Sequence, residues 1–160
     1  MVTDAAKLLN TTLETRCMLC KEMDGISSLL PEYDTVMSLY GVGKVYFSQL
    51  ISEIGDIDRL KSAKSIVALA GIDPPPNQSG KVDPKSRKIS KRGSPALRKI
   101  LFQIMIVYLV NSPADEPVYQ FIDKKRAEGK PYKVYMIAAA NKFLRIYYAR
   151  VKEALALRDT

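Results

Sequence analysis

The chain contains no histidine, only two cysteines, and no apolar run long enough to span a membrane. Without histidine it holds no Ser–His–Asp triad, no Cys2His2 zinc site and no H-E-x-x-H metalloprotease site. Cys17 and Cys20 form a single C-x-x-C, with no second pair to complete four zinc ligands. Their helical spacing with Leu13 and Met23 marks them as small core-facing hydrophobes, and no disulfide framework is expected. The start, Met1-Val2-Thr3-Asp4, has no signal-peptide character. Cytoplasmic residence without a membrane partner is the expectation. Period-two alternation and internal repeats are missing as well, so the expected fold class is all-α.

What is present is ordinary in amount and uneven in placement. The 160 residues are 47% hydrophobic and 26% charged, enough to bury a real core. The net charge of +8 gathers in residues 81–99, where eight cations face Asp83 alone. That stretch carries +7, and the rest of the chain only +1. A cationic patch on a near-neutral body points to a polyanionic partner. A solvated basic loop is the plainer alternative.

Helical periodicity organises the chain. Leu9, Leu13, Cys17 and Cys20 recur along residues 4–24, which read as one amphipathic helix ended by Gly25. Residues 1–32 are expected to form an arm or oligomerisation element, and residues 33–160 a helical domain. A short helix is predicted from Tyr33 to Tyr40, then a turn at Gly41–Gly43, then a helix from Lys44 to about Ile54. Gly55-Asp56 closes that helix, and a tight turn covers Ile57–Leu60. Ser62 caps the next helix, which Gly71 stops. Residues 72–93, with Pro74-Pro75-Pro76, Gly80, Pro84 and Gly93, read as irregular. Ser94-Pro95 opens a helix through Val110 that is apolar nearly all round, the expected buried centre. Two more are predicted, from about Glu116 to Glu128 and from Pro131 to about Leu157.

Two features carry chemistry. Leu39-Tyr40-Gly41-Val42-Gly43-Lys44 between two short helices reads as a helix-hairpin-helix. Glycines flanking Val42 permit positive φ and close approach of the backbone to a phosphate. Val42 would pack inward, and Lys44 would add charge at the edge. An αα-turn that needs glycine for conformation alone is the competing reading. The second feature is Gln78-Ser79-Gly80-Lys81, followed by Ser90-Lys91-Arg92-Gly93-Ser94. A serine beside dense positive charge can act on a phosphodiester if a base takes its proton and the cations stabilise the transition state. On residue chemistry alone Ser79 is a capping or turn serine more often than a nucleophile, and Ser86 and Ser90 share its cationic setting.

An ordered set of short pieces gives these features a context. They are Tyr40-Gly41-Val42-Gly43, Glu53-Ile54-Gly55-Asp56, Ser62-Ala63-Lys64, Ala68-Leu69-Ala70-Gly71-Ile72, Gln78-Ser79-Gly80-Lys81, Ile89-Ser90-Lys91-Arg92-Gly93 and Leu97-Arg98. In that order and at that spacing, residues 39–101 resemble the serine-bearing C-terminal domain of insertion-sequence transposases of the IS-one-ten group, the pilin-gene invertases among them. Gly129-Lys130 and the Ala138–Leu144 stretch continue the likeness. Lys44 stands where the family often has proline, and Ser94 where it often has asparagine.

The resemblance implies a recombinase that cuts and rejoins DNA strands, with Ser79 as the nucleophile. It implies DNA as partner, a guide RNA as a second, and homo-oligomerisation, here through the N-terminal helix. Gly41, Val42, Gly43, Lys44, Lys81, Lys85, Arg87, Lys88, Lys91, Arg92 and Arg98 are the expected nucleic-acid contacts. No cofactor is expected in this chain. Mg2+ belongs to the family's N-terminal RuvC-like domain, for which 160 residues leave no room, so a fragment inactive alone is expected. The alternative is a helix-hairpin-helix module that binds nucleic acid without chemistry. A purely structural oligomerisation protein explains neither the charge cluster nor the hairpin.

Overall fold

The computed structural model describes residues 2–74 and 88–158. Those residues form seven α-helices and no strand, as the all-α reading requires: α1 Val2–Ser27, α2 Tyr33–Met37, α3 Lys44–Ile54, α4 Ala63–Ala70, α5 Pro95–Asn111, α6 Pro117–Ala127 and α7 Tyr132–Arg158. A 3-10 turn, Ile57–Arg59, links α3 to α4. Local chemistry explains most boundaries. Asp56 accepts the Asp58 N–H at 2.8 Å to open the 3-10 turn. Ser94 accepts the Leu97 N–H at 3.1 Å and Pro95 takes the first helical position, so α5 starts where its sequence directs. Gly71 ends α4 at φ +64°, a left-handed conformation that favours glycine.

α5 is buried along Leu97, Ile100, Leu101, Ile104, Met105 and Tyr108. It does not hold the centre alone. α7 packs against α2, the 3-10 turn, α4, α5 and α6, burying Met136, Phe143, Leu144, Tyr147 and Val151. Ile106 and Val110 of α5 face solvent, so that helix has an outer side despite its apolar composition. On the other flank α3 packs on α1, α2 and α5, with Phe47, Leu50 and Ile54 buried and the Tyr33 ring edge-on to Phe47 at 4.8 Å. The Tyr148 hydroxyl donates to the Leu60 carbonyl at 2.9 Å and ties α7 to the 3-10 turn. Burial raises the phenols of Tyr108 and Tyr147 well above the ordinary tyrosine range.

α1 departs from expectation. Leu9, Leu13, Cys17 and Cys20 do form a stripe, but the stripe is exposed, and both cysteines are on the surface rather than in the core. Only Ser27 of α1 is buried, its hydroxyl 3.1 Å from Ser48 of α3. Periodicity identifies an apolar face without identifying what covers it. Here α3 meets the helix near its C-terminal end and no described element covers the rest. Among the described residues no helix is long and apolar enough to cross a membrane.

Candidate nucleic-acid interface

The turn between α2 and α3 is built around a buried valine. Val42 is 5% exposed and its N–H donates to the Leu39 carbonyl at 3.1 Å. Gly41 has φ +79°, and a Cβ there would lie 3.2 Å from Ile104 Cγ2 on α5. The turn is therefore seated on α5, and Tyr40 meets Tyr108 ring to ring at 5.1 Å. The two glycines are not equivalent, contrary to the sequence expectation. Gly43 sits at φ −93°, ψ 174°, ordinary extended backbone, with open space where a Cβ would be. Conformation requires glycine at 41 but not at 43.

Gly43 occupies the N-cap of α3, and no side chain caps the helix start. The leading N–H groups of a helix have no partner within it and carry partial positive charge. The turn and this helix start line an open groove of about 420 Å3, formed by Gly41, Val42, Gly43, Lys44, Val45, Tyr46 and Val107. Lys44 is not a free cation at its edge, because its ammonium pairs with Asp24 of α1 at 3.0 Å. That hydrogen bond holds the lysine above its usual pKa, so its charge is retained and partly engaged.

The basic tract emerges from a backbone clasp. α4 ends with carbonyls that a helix cannot satisfy internally, and residues 90–98 satisfy them. Leu69 O accepts the Ser94 N–H at 2.7 Å, Ala70 O accepts Arg98 Nη1 at 3.0 Å, and Gly71 O accepts the Lys91 N–H at 3.0 Å. Asp73 O takes the Ser90 N–H at 2.8 Å, and the Ser90 hydroxyl donates to the Asp73 carboxylate at 2.7 Å. Ser94 adds a donor bond to Glu53 of α3 at 2.6 Å. The approach is so close that a Cβ on Gly93 would fall 2.0 Å from Leu69 O. Lys91 is held at φ +57°, uncommon for a residue with a side chain.

The clasp sorts the predicted contacts. Lys91 and Arg92 are exposed on this anchored backbone, and Lys88 is exposed just before it. Arg98 is spent on structure, its guanidinium bonding both Ala70 O and Gly93 O at 3.0 Å. Ser79, Lys81, Lys85 and Arg87 lie outside the described residues, as does Ser86. Hairpin and clasp sit at opposite ends of the α3–α5 pair, since Gly41 meets Ile104 whereas Glu53 meets Ser94. Ten helical residues separate Ile104 from Ser94, roughly 15 Å at 1.5 Å each. Sequence reading did not foresee the clasp's backbone pairing, because carbonyl acceptors leave no trace in residue type. Among the described residues no cluster of acidic or cysteine side chains is arranged to hold a metal ion.

Comparison with known proteins places the sequence of this region in a family. The family described as "Transposase IS116/IS110/IS902 family" matches residues 33–120, from α2 through the hairpin and clasp into α6. The Pilin gene-inverting protein of Moraxella bovis is 32% identical over 114 residues, covering 71% of this chain and 34% of that protein. Its namesake from Moraxella lacunata has the same identity and coverage. The Insertion element IS900 uncharacterized 42 kDa protein of Mycobacterium paratuberculosis is 23% identical over 121 residues, 75% of this chain and 29% of that protein. The chain thus spans about a third of the length of the curated relatives it matches.

Proposed function

Because the chain belongs to the IS116/IS110/IS902 transposase family, we propose that it is the DNA-binding, serine-bearing part of a recombinase that cuts and rejoins DNA strands. The observation that carries the reading is the hairpin, whose uncapped helix start opens on a groove that a phosphate can enter. The exposed Lys88, Lys91 and Arg92 support it by supplying charge that holds a strand without reading its sequence. Ser79 is assigned as nucleophile. Its Oγ would form an ester bond to phosphorus while the bond from phosphorus to the leaving sugar oxygen breaks. The hydroxyl proton goes to a base, and the leaving oxygen takes one up. Divalent-metal chemistry is assigned to a RuvC-like domain acting with this chain, and the described residues provide no seat for it.

DNA and a guide RNA share the phosphodiester chemistry these groups recognise, and competition between the two for the chain separates them. Cytoplasmic residence goes with that choice of partners. The exposed apolar residues of α1 (Leu9, Leu13, Met18 and Leu19) are assigned to pairing with a second copy. Sedimentation should show an oligomer that Leu9→Glu with Leu13→Glu reduces to monomer. An unchanged sedimentation coefficient removes α1 from the assembly.

Valine at position 43 tests the hairpin. Gly43 has room for a side chain and an ordinary φ, so Gly43→Val should fold with a loss of about 1 kcal/mol or less. Its branched side chain would stand over the N–H groups at the start of α3, and DNA affinity should fall about tenfold, one charge-assisted hydrogen bond. Undiminished affinity in folded Gly43→Val would make the hairpin a structural turn only.

A further inference from the structure

The hairpin groove does not stop at the hairpin. A second depression, lined by Arg16, Val45, Tyr46, Gln49, Glu53, Ala96, Lys99, Ile100 and Gln103, shares Val45 and Tyr46 with it. Tyr46, Gln49 and Glu53 lie one helical turn apart along α3, and Val107, Gln103, Lys99 and Ala96 do the same along α5. The two rows run from the hairpin to Glu53, whose carboxylate accepts the Ser94 hydroxyl of the clasp at 2.6 Å. Two adjoining depressions, meeting at Val45 and Tyr46, therefore line the α3–α5 face between the two places that the fold had set apart. Along α5 this two-part channel spans twelve residues from Ala96 to Val107, eleven rises or roughly 16 Å, or four to five steps of a strand rising 3.4 Å per nucleotide.

Its lining is suited to a nucleic-acid strand. Arg16 from α1 and Lys99 from α5 are exposed cations on its walls, and neither pairs with a described acid. Gln49 and Gln103 are half-buried in the lining, and their carboxamides remain open to solvent there. A solvent-open carboxamide can exchange its water for the edge of a base or a phosphate oxygen. The half-buried Tyr46 ring gives a surface on which a base can stack. Glu53 is the one acid in the lining, and its carboxylate already accepts the Ser94 hydroxyl.

We propose that the α3–α5 channel seats a nucleic-acid strand between hairpin and clasp, with Arg16 and Lys99 on its phosphates and Gln49 and Gln103 on its polar edges. The proposal rests on the function argued above and adds four residues to it. The test measures binding of labelled single-stranded and duplex deoxyoligonucleotides across a salt series. Arg16→Gln with Lys99→Gln should reduce the slope of log K against log salt by about 1.8 for duplex or about 1.4 for single strand. Lys130→Gln with Lys133→Gln removes the same charge outside the channel and should change the slope by less than about 0.5. Gln49→Leu with Gln103→Leu keeps volume and should lower affinity about tenfold at unchanged slope, the mark of lost hydrogen bonds rather than lost charge. If the unaltered chain binds steeply but the channel pair does no more than the Lys130 and Lys133 pair, the channel is not the seat and the proposed function stands. If the unaltered chain binds neither probe, both proposals fall.

Discussion

Gly93→Ala should cost the chain about 3 kcal/mol or more, a fall in melting temperature of roughly 6–12 °C for a protein of this size. A single methyl rarely does so much. Here the added Cβ would stand 2.0 Å from Leu69 O, 2.5 Å from Leu69 C and 2.6 Å from Ala68 O. All three are backbone atoms, so no rotamer change relieves the clash and the clasp must open. Opening it breaks the hydrogen bonds to Leu69 O, Ala70 O and Gly71 O together, each worth about 0.5–1.5 kcal/mol net. Gly43→Ala is the matched comparison, because its Cβ meets nothing within 4 Å. It should cost about 1 kcal/mol or less, through the weaker N-cap preference of alanine. Thermal unfolding of both variants measures the contrast, and equal melting temperatures would mean that the clasp does not hold α4 to α5.

The second large effect is chemical. On the assignment proposed above, Ser79→Ala in this chain joined to a RuvC-like domain should abolish covalent protein–DNA adduct and recombination while leaving folding within about 0.5 kcal/mol. Removing the attacking oxygen eliminates the covalent route rather than slowing it. Ser90→Ala makes a useful contrast, because Ser90 is bound into the clasp by its bond to Asp73. It should lose about 1 kcal/mol of stability and keep the adduct. A denaturing gel of parent, Ser79→Ala, Ser86→Ala and Ser90→Ala decides the assignment. An adduct that survives Ser79→Ala and vanishes in Ser86→Ala would move the nucleophile to Ser86.

Helix order was legible because its signals are local. Ser94-Pro95, Gly71 and the Gly41–Gly43 turn each act on neighbouring backbone, and the elements begin and end beside them. Burial of Val42 was legible for the same reason. What escaped depended on partners distant in sequence. The positive φ of Gly41 goes with a turn seated on Ile104, sixty-three positions along, whereas Gly43 keeps an ordinary extended φ. Lys44 reads as a free cation until α1 brings Asp24 to it. Arg98 looks like one more phosphate contact, yet the open carbonyl of Ala70 claims it. The cysteines show the limit of periodicity, since helical spacing predicts a face and only tertiary structure says whether that face is covered.

The measurement that bears most directly on the account is the salt dependence of DNA binding by the intact chain, compared with Lys88→Ala, Lys91→Ala, Arg92→Ala combined. All three side chains are exposed, Lys91 and Arg92 within the clasp and Lys88 just before it, so their loss removes charge without removing fold. If four to six phosphates are neutralised, log K against log salt should fall with a slope of roughly −4 to −5 for duplex DNA. The triple variant should flatten that slope by about 2 to 3. Affinity indifferent to salt, or a triple variant with the parent's slope, would contradict the account.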